Sequence, residues 1–277
     1  RGSMRVWMNG RILSVEQARV SVLDHGFTVG DGVFETLRLL RGQPFAPTRH
    51  IERLRRSAAA MAMPAPDPDL VAAAMADAVA ANRGDLDDHG RLRVTYTSGT
   101  GPLGSDRGPG PVTLTAIAAP GVPWPPTADV VLAPWPRNER GPLAGVKSTS
   151  YAENAIALAQ AKDRGASEAL VLNTRGQLCE GTGSNVFLID ARGVVTPPLD
   201  SGCLAGVTRG LVIEWFAAAQ LALTETDLHH ADEVFLTSST RNVHPVARVD
   251  DRTVRGVGRG AALAEAFLER ALDEPDP

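Results

Sequence analysis

Ala119-Pro120-Gly121-Val122-Pro123-Trp124-Pro125-Pro126 divides this chain. Proline has no amide donor, fixes its own φ and holds the residue before it in an extended conformation. Four prolines in these eight residues therefore read as a stiff linker. The expected division is a small N-terminal domain at 4–118, an interdomain linker at 119–127 and a larger C-terminal domain at 128–277. On the N-terminal side, alternating apolar positions predict strands at 5–8 (running into Asn9-Gly10), 20–23, 33–40, 91–97 and 112–117. Helices are predicted over 48–62, with Ile51, Leu54 and Ala58 on one face, and over 68–82. On the C-terminal side the pattern gives strands at 130–133, 169–172, 178–180, 186–189, 234–237 and 246–249. Helices there span 149–164, 208–219 and 259–272. Strands outnumber helices and are joined mostly by short turns, which favours two α+β domains over a single βαβ sheet. Solenoids are excluded, because no period of roughly 20–50 residues recurs.

The 277 residues are 43% hydrophobic and 22% charged, ordinary proportions for a globular protein. A net charge of -4 argues against a nucleic-acid or anionic-membrane partner held by bulk charge. No apolar stretch approaches the roughly 18 residues of a membrane span. The N-terminus lacks the basic segment and apolar core of a signal peptide, and Arg1-Gly2-Ser3 before Met4 reads as an expression scar. Cys179 and Cys203 are too few for a disulfide framework and are not spaced as metal ligands. A cytoplasmic protein without a metal site is the expectation. The His229-His230 pair reads as a solvated surface loop. Gly99-Thr100-Gly101 lacks the Lys-Ser/Thr of a phosphate loop and the third glycine of a dinucleotide loop. No Gly-x-Ser-x-Gly elbow is present.

The chemistry concentrates between Gly145 and Ser184. In Gly145-Val146-Lys147-Ser148-Thr149-Ser150-Tyr151-Ala152-Glu153-Asn154 a single lysine precedes a helix, and no other charge lies between Arg140 and Glu153. A lysine is ordinarily a surface solubiliser, but a desolvated one becomes the free amine that forms a Schiff base. Leu178-Cys179-Glu180-Gly181-Thr182-Gly183-Ser184-Asn185 places a carboxylate between an apolar strand and a glycine-rich turn. Alone, Glu180 is as readily a turn or cap residue.

These two segments, with Glu168-Ala169-Leu170-Val171-Leu172-Asn173 and Leu204-Ala205-Gly206-Val207-Thr208-Arg209, resemble the class IV pyridoxal-phosphate aminotransferases. That family includes branched-chain and D-amino-acid aminotransferases, (R)-amine transaminases and 4-amino-4-deoxychorismate lyases. Phe27-Thr28-Val29-Gly30-Asp31-Gly32-Val33-Phe34-Glu35, His50-Ile51-Glu52-Arg53-Leu54 and Asp232-Glu233-Val234-Phe235-Leu236-Thr237-Ser238-Ser239-Thr240 match as well, in family order. The resemblance implies a two-domain α+β fold of type IV, D-amino-acid-aminotransferase-like, with pyridoxal 5'-phosphate as cofactor. It gives Lys147 the Schiff base and the proton shuttle between Cα and C4′. Glu180 then keeps the pyridine nitrogen protonated. Leu204 packs on the ring. Val207 and Thr208 at a helix start, Arg53, Ser239 and Thr240 hold the phosphate. Without the pattern match, Arg53 would read as a solvated helix face. Tyr151, one residue nearer the lysine than in branched-chain enzymes, matches the tyrosine that bonds the cofactor's 3′-oxygen.

Phe34, Thr36 and Arg38 alternate along one strand, which allows all three to face the substrate. The arginine and histidine with which familiar D-amino-acid enzymes hold a carboxylate fall here on Leu103 and Ser105. The branched-chain arginine-proline pair is also missing. The implied reaction is transamination between an amino acid or amine and a 2-oxo acid, in a homodimer. Pyruvate elimination from aminodeoxychorismate is the alternative. A non-catalytic cofactor-binding protein is the second, and the presence of Lys147 and Glu180 argues against it.

Overall fold

Short apolar alternations build most of the architecture, seen in a computed structural model that describes residues 4–87 and 89–277. The Arg1-Gly2-Ser3 stretch read as a scar lies outside the described residues. The described residues pack as two units, one running to Pro123 and taking in 146–151 and 274–277, the other made of 124–145 and 152–273.

In the first unit the strands are β1 (Arg5–Met8), β2 (Arg11–Ser14), β3 (Gly32–Leu40), β4 (Gln43–Pro44), β5 (Arg91–Thr97) and β6 (Thr113–Ala119). The helices are α1 (His25–Thr28), α2 (Pro47–Ala60) and α3 (Pro68–Asn82). The antiparallel sheet has the order β2-β1-β6-β5-β3-β4. Period-two alternation sends Val33, Leu37, Leu39, Leu92, Val94 and Leu114 to one face, where Leu54 and Ala58 of α2 and Met75 and Val79 of α3 cover them. Phe34, Thr36 and Arg38 occupy the opposite face. By register they lie against Thr95, Arg93 and Arg91.

The second unit contains β7 (Ala128–Leu132), α4 (Ala152–Asp163), β8 (Glu168–Leu172), β9 (Leu178–Gly181), β10 (Asn185–Asp190), β11 (Gly193–Thr196) and α5 (Val207–Phe216). It continues with β12 (Ala219–Gln220), α6 (Glu225–His230), β13 (Glu233–Ser238), β14 (Asn242–Val249), β15 (Arg252–Thr253) and α7 (Gly258–Asp273). Its mixed sheet runs β12-β11-β10-β13-β14-β7-β8-β9, with β15 on β14. Leu170, Leu178, Leu188, Val234, Leu236 and Val246 form one buried cluster. Phe187 and Phe235, directly paired in register, stack at 4.8 Å between centroids. No described helix is long and apolar enough to cross a membrane.

Several expectations need correction. Residues 20–23 form no strand. The Ser21 hydroxyl accepts the Leu23 amide and the Ser21 carbonyl accepts the Asp24 amide, so the segment turns and leaves Val20 and Val22 exposed. The helix expected from 149 starts at Ala152, because the Thr149 amide donates to the Gly32 carbonyl instead. The helix expected to reach 219 ends at Phe216, where Ala217 turns left-handed at φ 51°. His229-His230 sits in the last turn of α6, not in a loop; Thr224 and Asp227 cap that helix reciprocally. The strand expected at 246–249 begins at Asn242. It passes through Pro245 before pairing with β7 starts at Val246, so no ladder bond to β7 is lost. Finally, Val146–Tyr151 packs with the first unit and not with the C-terminal domain in which it was expected.

Candidate active site

The seat of Lys147 is made by main chain. Its carbonyl accepts the Phe34 amide at 3.0 Å, Ser148 bridges Val33, and the Thr149 amide reaches the Gly32 carbonyl at 2.8 Å. The hydroxyls of Thr149 and Ser150 both donate to the Gly30 carbonyl, at 3.0 and 2.9 Å. Gly30 has φ +70°, and a Cβ there would lie 2.6 Å from Ser150 Oγ, so the approach needs glycine. Lys147 is thus an added edge residue beside β3, and its side chain extends over the outer face of the sheet. Its Nζ stands 4.3 Å from the centroid of the buried Phe34 ring. Tyr151 meets the same ring edge-on, with centroids 5.4 Å apart at 83°. The Arg93 Cζ lies 3.5 Å from that centroid, and its Nη1 reaches Thr36 Oγ1 at 3.4 Å. Lys147, Tyr151, Phe34, Thr36 and Arg93 therefore gather on one face. Arg38 follows on it, directly opposite Arg91.

Glu35 points to the other face. Its fully buried carboxylate accepts Arg53 Nε at 2.8 Å, Arg53 Nη2 at 2.7 Å and His50 Nδ1 at 2.6 Å, all from α2. Burial alone would raise the Glu35 pKa, but the Arg53 guanidinium and then His50 outweigh it and hold the group at about 2. The His50 pKa is lowered, first by burial; Glu35 opposes that, and the charges of Arg53 and Lys147 add to it. Arg53, which only its motif match distinguished from a solvated helix residue, is thus clamped in the interior. In the 98–112 loop Leu103 is exposed, and Arg107 is bound bidentately to Asp31 and to the carbonyls of Met61 and Ala62.

In the second unit Glu180 and Leu204 come together. Glu180 Oε2 accepts the Leu204 amide at 2.8 Å, and the Leu204 carbonyl accepts Asn185 Nδ2 at 2.9 Å, so the ring-facing candidate is pinned on both sides. Glu180 Oε1 lies 3.6 Å from Arg137 Nη2, which also donates to Asn154 Oδ1 at 3.0 Å. Val207 and Thr208 open α5, whose N-cap Gly206 provides no side-chain bond to the first-turn amides. A Cβ on Gly206 would collide with Asn185 Oδ1. Ser239 and Thr240 form the turn after β13, the strand on which α5 packs. Among the described residues, no group of three or more His, Cys, Asp or Glu side chains could hold a metal ion.

Arg93, Glu35, His50 and Arg137 were not singled out as functional from the sequence. Strand parity carried the signal for Arg93: it is paired with Thr36, itself two residues from Phe34. A glutamate in the otherwise apolar inner row Val33, Leu37, Leu39 pointed to a buried partner for Glu35.

Residues 32–249 match the sequence profile of the amino-transferase class IV family. The chain is 35% identical to a putative branched-chain-amino-acid aminotransferase of Methanocaldococcus jannaschii, over 91% of this chain and 90% of that protein. It is 31% identical to a D-alanine aminotransferase of Bacillus licheniformis, over 93% and 92%. Its fold is similar to that of a branched-chain aminotransferase from Thermoproteus uzoniensis solved with norvaline. The TM-score there is 0.89 at 26% identity, covering 99% of this chain and 96% of the other.

Proposed function

The chain belongs to the class IV aminotransferase family, enzymes that use pyridoxal 5'-phosphate, and from that premise we propose that Lys147 supplies the amine and the proton shuttle of transamination. The observation that carries this reading is the Lys147 ammonium held 4.3 Å over Phe34 by a segment whose backbone is paired to β3. When bound, the cofactor supplies an electron sink for the carbon that bears the amino group. Glu180 keeps the pyridine nitrogen protonated, Leu204 packs on the ring and Tyr151 bonds the 3′-oxygen. The phosphate falls to the Val207 and Thr208 amides, the Thr208 hydroxyl, Ser239, Thr240 and Arg53. The residues fit such a group: α5 opens with amides that its N-cap, Gly206, leaves without a side-chain partner. The relatives at 35% and 31% identity are named as aminotransferases, which supports transfer over elimination.

The substrates in this reading are an amino donor and a 2-oxo acid, lined by Phe34, Thr36 and Arg38. Arg93, fixed on the ring that also carries the lysine, holds a substrate carboxylate. The test titrates the yellow holoenzyme with L- and D-amino acids, (R)-1-phenylethylamine and aminodeoxychorismate, following loss of its visible band. Bleaching by an amino donor alone supports transfer, whereas pyruvate released from aminodeoxychorismate would overturn it. A charge-assisted contact is worth roughly 1.5–3 kcal/mol. Arg93→Met is therefore expected to raise KM for amino acid donors roughly 10- to 100-fold. It leaves half-reaction rates with an amine lacking a carboxylate unchanged. Equal KM values in variant and parent would remove Arg93 from the pocket.

A homodimer completes the proposal. Val20, Val22, Leu23, Phe27 and Val29 are all exposed within ten residues, an apolar concentration that a partner subunit would cover. Light scattering is expected to return twice the 29.2 kDa chain mass; a stable, active monomer would reject it.

A further inference from the structure

Outside the residues assigned so far, the second unit contains a buried charge network. Glu168, at the start of β8, and Arg241, just after the Ser239-Thr240 turn, are 3% and 7% exposed and pair at 3.1 Å. Glu168 Oε1 accepts the Thr182 hydroxyl and the Gly183 amide, the latter at 2.9 Å, in the turn that follows Glu180. Arg241 closes its own turn, its amide donating to Ser238 Oγ at 3.1 Å. Its guanidinium donates to His244 Nδ1 at 2.8 Å and lies 3.6 Å from the Trp124 ring centroid. Arginine can only donate. His244 Nδ1 therefore accepts, and Nε2 carries the proton given to the Pro125 carbonyl at 2.7 Å. Each charged end is thus fastened to a different backbone turn.

A buried ion pair is a weak source of stability, since desolvating both charges offsets most of their attraction. What such a pair fixes well is distance. We infer that Glu168 and Arg241 are positioning residues that hold the Ser239-Thr240 turn at a set distance from the Gly181–Gly183 turn, and so set the geometry of phosphate binding. The inference rests on the reading of Ser239 and Thr240 as phosphate ligands. Neither Glu168 nor Arg241 needs to touch the cofactor. Glu168 →Gln keeps the shape of the side chain but loses its charge; Arg241→Lys keeps the charge but loses the planar fork.

The test compares affinities for pyridoxal 5'-phosphate and for pyridoxal, which has the same ring and aldehyde without the phosphate. In the parent protein the phosphate confers a preference. In Glu168→Gln and Arg241→Lys that preference is expected to fall at least tenfold, while pyridoxal affinity stays within about threefold. Thr182→Val, which removes one donor to Glu168 and leaves both charges, is the milder variant should the others not fold, and is expected to lose part of the preference. Glu233→Gln is the control: Glu233 caps α7 through the Arg259 and Gly260 amides, so its loss lowers melting temperature without approaching the turn. An unchanged preference in the folded variants, or an equal loss in Glu233→Gln, would overturn the inference. A parent protein with no preference for the phosphate, or with no borohydride label at Lys147, would overturn the underlying site reading instead.

Discussion

Lys147→Ala is expected to lose turnover by on the order of 10²- to 10⁴-fold, the range set by removing a positioned acid–base group. It also loses the visible absorbance of the holoenzyme and the label left at this position by borohydride. Folding is retained, because the contacts that seat residue 147 beside β3 are made by its own main chain: its carbonyl accepts the Phe34 amide, and its amide donates to Ser57 Oγ of α2 at 3.4 Å. Lys147→Arg separates charge from chemistry. The guanidinium keeps a cation beside Phe34, yet it cannot deprotonate to act as amine or base, so the loss matches that of alanine. Steady-state rates with peptide mapping check both. A label on another residue, or activity within tenfold of the parent, would remove Lys147 from the reaction.

Glu35→Leu has the largest expected effect on stability. It leaves the Arg53 guanidinium buried without its carboxylate, a change that costs about 3–5 kcal/mol. For a chain of this size that lowers the melting temperature by roughly 10 °C, read by calorimetry on the apoprotein. The same group sets an acid limit. The Glu35 pKa falls from 4.5 to about 2 on folding, so its contribution, about 3 kcal/mol, is complete above pH 4.5 and is lost as pH falls toward 2. His50 acts at higher pH in the same direction. Its pKa is lowered from 6.5, so below 6.5 the unfolded chain takes up a proton that the folded one resists. Glu35→Leu should therefore flatten the stability curve between pH 4.5 and 2. A curve parallel to that of the parent would show that the pair carries no such linkage.

Local pattern made much of this legible. The Ile51–Leu54–Ala58 stripe placed α2 on the sheet, and the alternation through 91–97 and 112–117 gave two neighbouring strands. The ordered motifs supplied the family. What pattern could not supply was competition between equally good local options. Val20–Leu23 alternates as a strand does, but Ser21 turns the backbone first. Thr149 can begin a helix or join a sheet edge, and the Gly32 carbonyl decides for the sheet. Pro245 hid the start of β14, because only the pairing partner reveals whether a missing amide matters. Nothing local named Glu35, on a different element, as the partner that holds Arg53 in the interior. Each miss is a question about which distant group arrives, and adjacency along the chain does not encode that.

The excursion of Val146–Tyr151 limits how this molecule can be taken apart. Residues on both sides of it belong to the second unit, and Glu274–Pro277 returns to the first, where the Pro275 carbonyl accepts the Ala46 amide. Cutting at the proline-rich junction would leave the downstream fragment with Lys147 on an unmoored segment and the upstream fragment with an empty slot beside β3. The two halves are not interchangeable modules. A chimaera that keeps one half and borrows the other inherits a lysine only as well seated as the borrowed β3 allows.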